Sequence, residues 1–183
     1  MKFKHFAVGN FISQKLWLFL NSLYILNINI MNITHTELCN LGAKWLKYNR
    51  LIKWNKPKYV AVEICCQIPC EPDIFGFGCY KTQQIEVKVS RSDFLADLKK
   101  KHRINSSDDV GDYRSYLCPS GLIKEKDLPF GWGLLWVDEN NKITEIVKPT
   151  QMDKCSYFEM NIIYSIMRRL EVKSQIFSFK NHK

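Results

Sequence analysis

The sequence lacks the short motifs by which many enzymes are recognised. It contains no glycine-rich phosphate loop, which argues against a nucleotide site built on such a loop. No Ser-His-Asp arrangement is present, and His35 and His102 have no partner pattern for a nucleophilic or general-base role. Internal repeats and low-complexity linkers are also missing. A single domain of 183 residues is therefore the default expectation, and any chemistry must come from dispersed side chains.

Regular cysteine spacing is absent as well. The seven cysteines form no paired C-x-x-C pattern and no Cys/His pattern, which argues against a zinc or iron–sulfur site recognisable from the sequence. Most of them lie among apolar residues, as reduced buried thiols usually do. No clear secretory signal precedes them. We therefore expect free thiols in a reducing, cytoplasmic environment.

Acidic residues are absent from positions 1–30, although the whole chain has 18 of them. Polar residues such as Gln14, Lys15 and Asn21 interrupt the apolar stretch found there, which disfavours a membrane span. The acidic, patterned sequence begins after Met31. We expect Met31 to be the natural start, residues 1–30 to be a non-native or disordered extension, and residues 31–183 to form one domain. The alternative is a peripheral membrane helix at the amino terminus.

The charge balance is basic, with a formal net charge of +9. Positions 1–30 contribute only three lysines to it, so the remaining chain is still basic without them. Hydrophobic content of 46% and charged content of 25% are typical of a globular protein rather than a disordered one. The positive charge favours a polyanionic partner such as nucleic acid.

Local patterns predict an α/β (α+β) fold. A helix capped by Thr34 or Thr36 precedes strands predicted over 59–65, 73–77 and 84–89. A helix capped by Ser90 or Ser92 follows, with Lys99, Lys100 and Lys101 in its last turn, and then a strand over 113–118. A strand pair at 134–137 and 143–147 and a C-terminal helix complete the chain. This order, α-β-β-β-α-β with an extra β-hairpin and a final helix, predicts a mixed β-sheet flanked by helices.

The strongest functional signal is an acid followed thirteen positions later by an acid and a lysine. Side chains alternate along a strand, so Glu86 and Lys88 point to the same face and Val87 to the other. If Asp73 lies on the neighbouring strand, two carboxylates and an ammonium converge on one spot. Such a set is suited to holding a divalent metal and activating water beside a phosphodiester. The alternative is an ordinary solvent-facing side of a β-hairpin.

Pro72-Asp73 followed by Glu86-Val87-Lys88 resembles the signature of the PD-(D/E)XK nuclease superfamily. The segments EVKVSRSDFLADLKKK, GDYRSYLCPSGLI and LPFGWGLLWV are similar to an MmcB-like branch of bacterial and phage proteins. The resemblance covers about residues 36–170. It implies a restriction-endonuclease-like core and a metal-dependent nuclease acting on DNA, in repair or phage nucleic-acid processing. The implied location is the cytoplasm of a bacterium, or of the host of a phage.

The resemblance also implies roles for individual residues. Asp73 and Glu86 would bind Mg²⁺ or Mn²⁺, the carbonyl of Val87 would be a further ligand, and Lys88 would orient water or stabilise charge. Members of the superfamily often have an additional acid, and here Glu37 on the first helix competes with Glu63 on the strand before Asp73. The implied partner is DNA, whether duplex, branched or single-stranded. No stable membrane association is expected, and a homodimer is a further possibility.

Weaker signals suggest contacts with nucleic acid. By strand alternation Ser90 is expected on the face of Glu86 and Lys88, and Arg114 and Tyr116 share one face of a strand near the site. A basic run at the end of the second helix suits phosphates, although a solvated helix end explains it equally well. The candidate contacts are Ser90, Arg91, Lys99, Lys100, Arg103 and Arg114. The alternative function is a non-catalytic DNA- or RNA-binding accessory protein that keeps the nuclease fold.

Overall fold

The fold is given by a computed structural model that describes residues 33–48, 56–78 and 80–170. The expectations about positions 1–30 and about Met31 as the natural start lie outside these residues. Within the described ranges, no helix has the length and apolar character needed to cross a membrane.

Six strands form one mixed sheet, and their order in space equals their order along the chain. The first three are antiparallel neighbours, β3 and β4 are parallel, β4 and β5 are parallel, and β6 returns antiparallel to β5. The sequence-based prediction of a mixed sheet is therefore confirmed. The strands are β1 Tyr59–Val62, β2 Ile74–Phe77, β3 Gln83–Val87, β4 Tyr113–Pro119, β5 Gly133–Val137 and β6 Ile143–Val147.

Among the described residues, four α-helices accompany the sheet: α1 His35–Tyr48, α2 Arg91–Asp97, α3 Lys101–Ile104 and α4 Ser156–Arg169. Thr34 and Glu37 begin α1 as a reciprocal cap. The Glu37 N–H donates to Thr34 Oγ1 at 3.3 Å, and the Thr34 N–H donates to Glu37 Oε2 at 2.8 Å. Ser90 caps α2 by accepting a bond from the Asp93 N–H at 3.2 Å.

Helices cover both faces of the sheet. Gly42 allows α1 to approach closely, because an added Cβ there would lie 2.6 Å from the side chains of Ile74 and Leu117. Tyr116, which precedes Leu117 in β4, points to the opposite face of the sheet. There the ring of Phe94 in α2 meets the Tyr116 ring edge-on, with the ring centroids 5.0 Å apart. Phe75, next to Ile74, likewise packs in a core cluster with Ile162 of α4. The two faces thus bury separate apolar clusters.

Several predicted boundaries were wrong, and three of them have a local reason. The first strand ends at Val62 because Glu63 adopts a left-handed conformation with φ of 47°. The third strand ends at Val87 because Ser90 already begins the next helix as its cap. That helix ends at Asp97, and a separate turn, α3, follows, which carries Arg103 into the interior.

Candidate functional site

The end of β3 brings an acid and a lysine together. Glu86 lies in β3, Lys88 lies one residue beyond the strand, and Lys88 Nζ is 3.5 Å from Glu86 Oε2. Both side chains are buried, with 3% of Glu86 and 5% of Lys88 exposed. The two side chains therefore share one side of the strand, as the alternation of side chains predicts.

Asp73 lies immediately before β2 rather than within it. Ile74 pairs with Ile85, so one further step of the antiparallel register places Asp73 opposite Glu86. The Val87 N–H donates to Asp73 Oδ2 at 2.7 Å, which fixes the carboxylate against β3. We call Asp73, Glu86 and Lys88 the Asp73 site.

The electrostatics of the Asp73 site leave one carboxylate unfavourably placed. Burial and the nearby charge of Glu86 raise the pKa of Asp73, and the Val87 N–H, Lys88 and His35 only partly oppose this. Two carboxylates that repel one another at the end of two strands form a place where a cation is favourable.

Lys88 is positively charged at neutral pH. Burial by itself lowers its pKa, but attraction by four surrounding carboxylates, of which Glu86 and Asp97 are the strongest, raises the pKa overall. Lys88 Nζ is 3.5 Å from Asp97 Oδ1 and 4.0 Å from Asp93 Oδ2. A protonated lysine cannot accept a proton, so this side chain is suited to stabilising negative charge.

An inner layer of ion pairs holds Glu86 in place. Arg103 forms an ion pair with Glu86, with Nη2 at 2.9 Å from Oε1, and its Nε donates to Asp97 Oδ2 at 2.9 Å; it also binds Asp109. Its guanidinium lies over the ring of Trp132, 4.9 Å from the centroid. Gln84 Nε2 donates to the same Glu86 oxygen at 2.8 Å. Glu86 Oε1 is thus fully engaged, and Oε2 is the oxygen that faces Lys88.

This layer contradicts two predicted contacts with nucleic acid. Arg103 is only 2% exposed at its side chain, so it cannot reach a phosphate at the surface. Arg114 is 1% exposed, and its guanidinium donates to the carbonyl oxygens of Val110 at 2.8 Å and of Ser106 at 2.9 Å. Tyr116, expected on the same accessible face, is buried and donates to Asp97 Oδ2 at 2.8 Å.

The remaining candidate contacts lie nearer the surface. Ser90 is not on the strand face as expected, because it caps α2. Arg91 pairs with Asp127 at 2.6 Å, and Lys100 pairs with Asp97 at 2.7 Å. Lys99 is exposed beside them. Contacts of these basic residues with phosphates stay a prediction.

His35 connects Asp73 to two further residues that the sequence patterns did not single out together. Its Nδ1 is 3.3 Å from Glu63 Oε1 and 3.6 Å from Cys39 Sγ, and its Nε2 is 3.5 Å from Asp73 Oδ2. Burial raises the pKa of the Cys39 thiol to about 12, with the charges of Asp73 and Glu63 adding to the effect. We call His35, Cys39 and Glu63 the His35 cluster. The signal that sequence reasoning missed is the spacing of His35 and Cys39, four residues apart on one helix face.

The two candidates for an additional acid, Glu37 and Glu63, differ in their surroundings. Glu37 is engaged with Thr34 in the cap of α1, and those hydrogen bonds lower its pKa. Glu63 contacts His35, which in turn contacts Asp73. Glu63 is therefore the acid linked to the Asp73 site.

A second group of buried charges lies at the opposite, amino end of β3 and β4. Asp112 accepts bonds from the Thr82 N–H at 2.9 Å and from Lys154 Nζ at 2.6 Å, and Lys81 Nζ lies 3.3 Å away. Lys154 also pairs with Glu159 at 2.8 Å. Burial raises the pKa of Asp112, but the bonds from Lys154 and Thr82 prevail and lower it to about 2. We call Lys81, Thr82, Asp112, Lys154 and Glu159 the Asp112 cluster.

Comparison with solved structures finds a similar fold in a protein of unknown function from Silicibacter pomeroyi. The likeness has a TM-score of 0.52 at 18% sequence identity, and it covers 80% of this chain and 99% of that one. At this identity the likeness concerns the fold alone. No family model and no curated protein matches the chain. The fold is thus a mixed six-stranded sheet flanked by helices, and its function has to be argued from the side chains of the site.

Proposed function

We propose that the protein is a metal-dependent nuclease that hydrolyses phosphodiester bonds in DNA. The observation that carries the proposal is the convergence of Asp73, Glu86 and a charged Lys88 at the carboxyl end of β3. The order of three antiparallel strands, a helix and a parallel strand agrees with a restriction-endonuclease-like core. The basic balance of the chain supports a polyanionic substrate.

The donor atoms at the Asp73 site fit a hard divalent cation. Asp73 and Glu86 offer carboxylate oxygens, which Mg²⁺ and Mn²⁺ prefer, and their mutual repulsion favours a cation beside them. Continuing the register of β2 and β3 places Pro72 opposite Val87. Because proline has no N–H, it cannot donate to the Val87 carbonyl, which supports that oxygen as a further ligand. A bound cation of this type supplies an activated water and charge stabilisation at a phosphate.

The protein's own groups have separable tasks. The Val87 N–H orients Asp73, while Arg103 and Gln84 orient Glu86, so these three act as positioning groups. Lys88 contributes a fixed positive charge beside the carboxylates, where negative charge develops on the phosphate during hydrolysis. Lys99 and Lys100, exposed at the end of α2, are placed to contact the DNA backbone.

The burial of Glu86 and Lys88 favours a second candidate function. A carboxylate and an ammonium that are 3% and 5% exposed also satisfy each other as a structural ion pair. On this alternative the protein is a non-catalytic DNA- or RNA-binding accessory protein. It binds nucleic acid in a salt-dependent manner through its surface lysines, without cleavage.

A cleavage assay with the full chain separates the two. The protein is incubated with supercoiled, linear duplex, branched and single-stranded DNA, and with RNA, in Mg²⁺ or Mn²⁺ at fixed salt. We expect metal-dependent cleavage of DNA that falls at least about 100-fold in Glu86→Gln, since a removed metal ligand weakens charge stabilisation. Glu139→Gln, in the exposed turn before β6, is the matched control and should cleave normally.

Two results would contradict the nuclease proposal. One is a folded protein that cleaves no nucleic acid with either metal. The other is a Glu86→Gln variant that is folded by circular dichroism and as active as the original. Salt-dependent DNA binding that Glu86→Gln leaves unchanged, without cleavage, would identify the accessory function instead.

A further inference from the structure

The His35 cluster places three different ligand atoms around one point. The imidazole Nδ1 of His35, the thiol of Cys39 and a carboxylate oxygen of Glu63 all lie within 4.8 Å of one another. The Nδ1–Oε1 distance is 3.3 Å and the Nδ1–Sγ distance is 3.6 Å. Nitrogen, sulfur and oxygen together are a donor set typical of zinc and related metals, whereas Mg²⁺ prefers oxygen alone.

The two distances from His35 Nδ1 match those between the ligands of a tetrahedral ion. Metal bonds of about 2.0 Å to nitrogen and to oxygen at a tetrahedral angle separate the two atoms by about 3.3 Å. A bond of about 2.3 Å to sulfur separates nitrogen and sulfur by about 3.5 Å. We propose that His35, Cys39 and Glu63 bind a divalent transition-metal ion of the zinc class.

The fold accounts for the position of each ligand. His35 and Cys39 are one turn apart on the same side of α1. Glu63 follows β1 in a left-handed conformation, and its N–H donates to the Asp73 carbonyl oxygen at 2.8 Å, which holds this residue beside Asp73. A left-handed glutamate is a strained conformation that needs surrounding contacts to persist.

The proposed ion lies between the core and the solvent. Cys39 is fully buried, whereas the side chains of His35 and Glu63 are 36% and 45% exposed. One protein ligand therefore comes from the core and two from the accessible side, which leaves the fourth position of a tetrahedral ion within reach of solvent. Three ligands with one open position is the arrangement of a zinc site that binds water or a substrate, whereas closed sites have four protein ligands.

Asp73 supplies the outer contact that metal-binding histidines usually have. With His35 Nδ1 directed at the metal, its Nε2–H faces Asp73 Oδ2 at 3.5 Å. A carboxylate at the second ring nitrogen fixes the tautomer and orients the ring for ligation. This link joins the His35 cluster to the Asp73 site, but the metal proposal does not depend on nuclease activity.

Titration of the metal-free full chain with Co²⁺ tests the proposal directly. We expect one equivalent to bind, with the visible bands of tetrahedral Co²⁺ and a near-ultraviolet thiolate band. Zn²⁺ should displace it, and a large excess of Mg²⁺ should not. Cys39→Ser should abolish the thiolate band, whereas Cys65→Ser, which removes an exposed thiol outside the cluster, should keep it.

Two more variants guard against a folding defect at the buried Cys39. His35→Gln, at a part-exposed position, should remove the tetrahedral spectrum while the protein stays folded. Asp73→Asn should keep the thiolate band and weaken Zn²⁺ binding by about 10–100-fold, as expected for an outer carboxylate. The absence of a tetrahedral spectrum, its survival in His35→Gln, or its loss in Cys65→Ser would overturn the proposal. DNA cleavage is not part of the readout, so this test and that of the nuclease proposal fail independently.

Discussion

The two ends of β3 lie beside carboxylates in opposite electrostatic settings. At the amino end, two lysines and a backbone N–H surround Asp112, and its pKa falls to about 2. At the carboxyl end, the charge of Glu86 and burial raise the pKa of Asp73. The Asp112 cluster stabilises the fold through its charges, whereas the surroundings of Asp73 disfavour its charged form. Residues kept in that condition are concentrated at functional sites.

The positively charged side chains around each carboxylate explain the difference in pKa. In the Asp112 cluster, Lys154 bonds to both carboxylates, and Lys81 adds a second positive charge. In the Asp73 site, the charge of Lys88 is shared by Glu86, Asp97, Asp93 and Asp73. Arg103 is directed inwards to Glu86 and two aspartates. The carboxyl end of β3 therefore keeps an excess of negative charge, which a divalent cation would balance.

The largest expected difference lies between two paired lysines, the buried Lys88 and the part-exposed Lys154. Lys88→Met should lower the DNA cleavage rate by about 10²–10³-fold, because the fixed positive charge beside the phosphate is lost. Lys154→Met should leave the rate per folded molecule within about twofold and instead lower the free energy of unfolding by about 2–3 kcal/mol, since two carboxylates lose their cation. Single-turnover cleavage and urea unfolding measure the two quantities. An equal loss of rate in both variants would remove the distinction between the two ends.

The pH dependence of stability should have opposite signs at the two ends. The folded-state pKa of Asp112, about 2, is below its ordinary value of 3.8, so its stabilisation is complete above pH 3.8. That stabilisation, about 2 kcal/mol, is lost as the pH falls through about 2. The folded-state pKa of Asp73 lies above 3.8, so protonating Asp73 as the pH falls towards 3.8 increases stability.

Urea unfolding between pH 2 and 7 checks this prediction. The free energy of unfolding of the original protein minus that of Asp112→Asn should fall towards pH 2. The same difference for Asp73→Asn, original minus variant, should rise as the pH approaches 3.8 from above. Two differences that do not vary with pH would contradict the electrostatic contrast.

The smallest expected effect concerns the acid that would join Asp73 and Glu86 at the site. Glu63→Gln should lower cleavage by about tenfold, because Glu63 supports His35 and through it Asp73. Glu37→Gln should leave cleavage unchanged and slightly lower the thermal unfolding temperature, because Glu37 serves in the cap of α1. The opposite pattern of rates would identify Glu37 as the additional acid.

Strand alternation and helix caps predicted much of the framework from the sequence. The side shared by Glu86 and Lys88 follows from the two-residue period of a strand. The serine after β3 was expected to cap a helix, and Ser90 does so. These features are local, so the types of neighbouring residues are enough to predict them.

The rest depends on contacts between distant parts of the chain. Arg103 belongs to a basic run typical of a solvent-facing helix end, and only the turn after Asp97 brings it to Glu86. Arg114 was expected at the surface, but it bonds to carbonyls of the segment before β4. The His35 cluster requires the left-handed turn at Glu63, which glutamate seldom adopts. Helical periodicity predicts that His35 and Cys39 are neighbours, but it contains no signal for the contacts between distant parts of the chain.

A paired measurement on Asp73→Asn and Asp112→Asn tests the central claim, that Asp73 is kept for chemistry and Asp112 for stability. Each variant removes one carboxylate charge at one end of the same parallel strands. At pH 7, Asp73→Asn should unfold at the same or a higher urea concentration than the original protein and should lose DNA cleavage. Asp112→Asn should be less stable by about 2 kcal/mol and cleave normally per folded molecule. An Asp73→Asn variant that is destabilised as much as Asp112→Asn, with cleavage unchanged, would contradict the account.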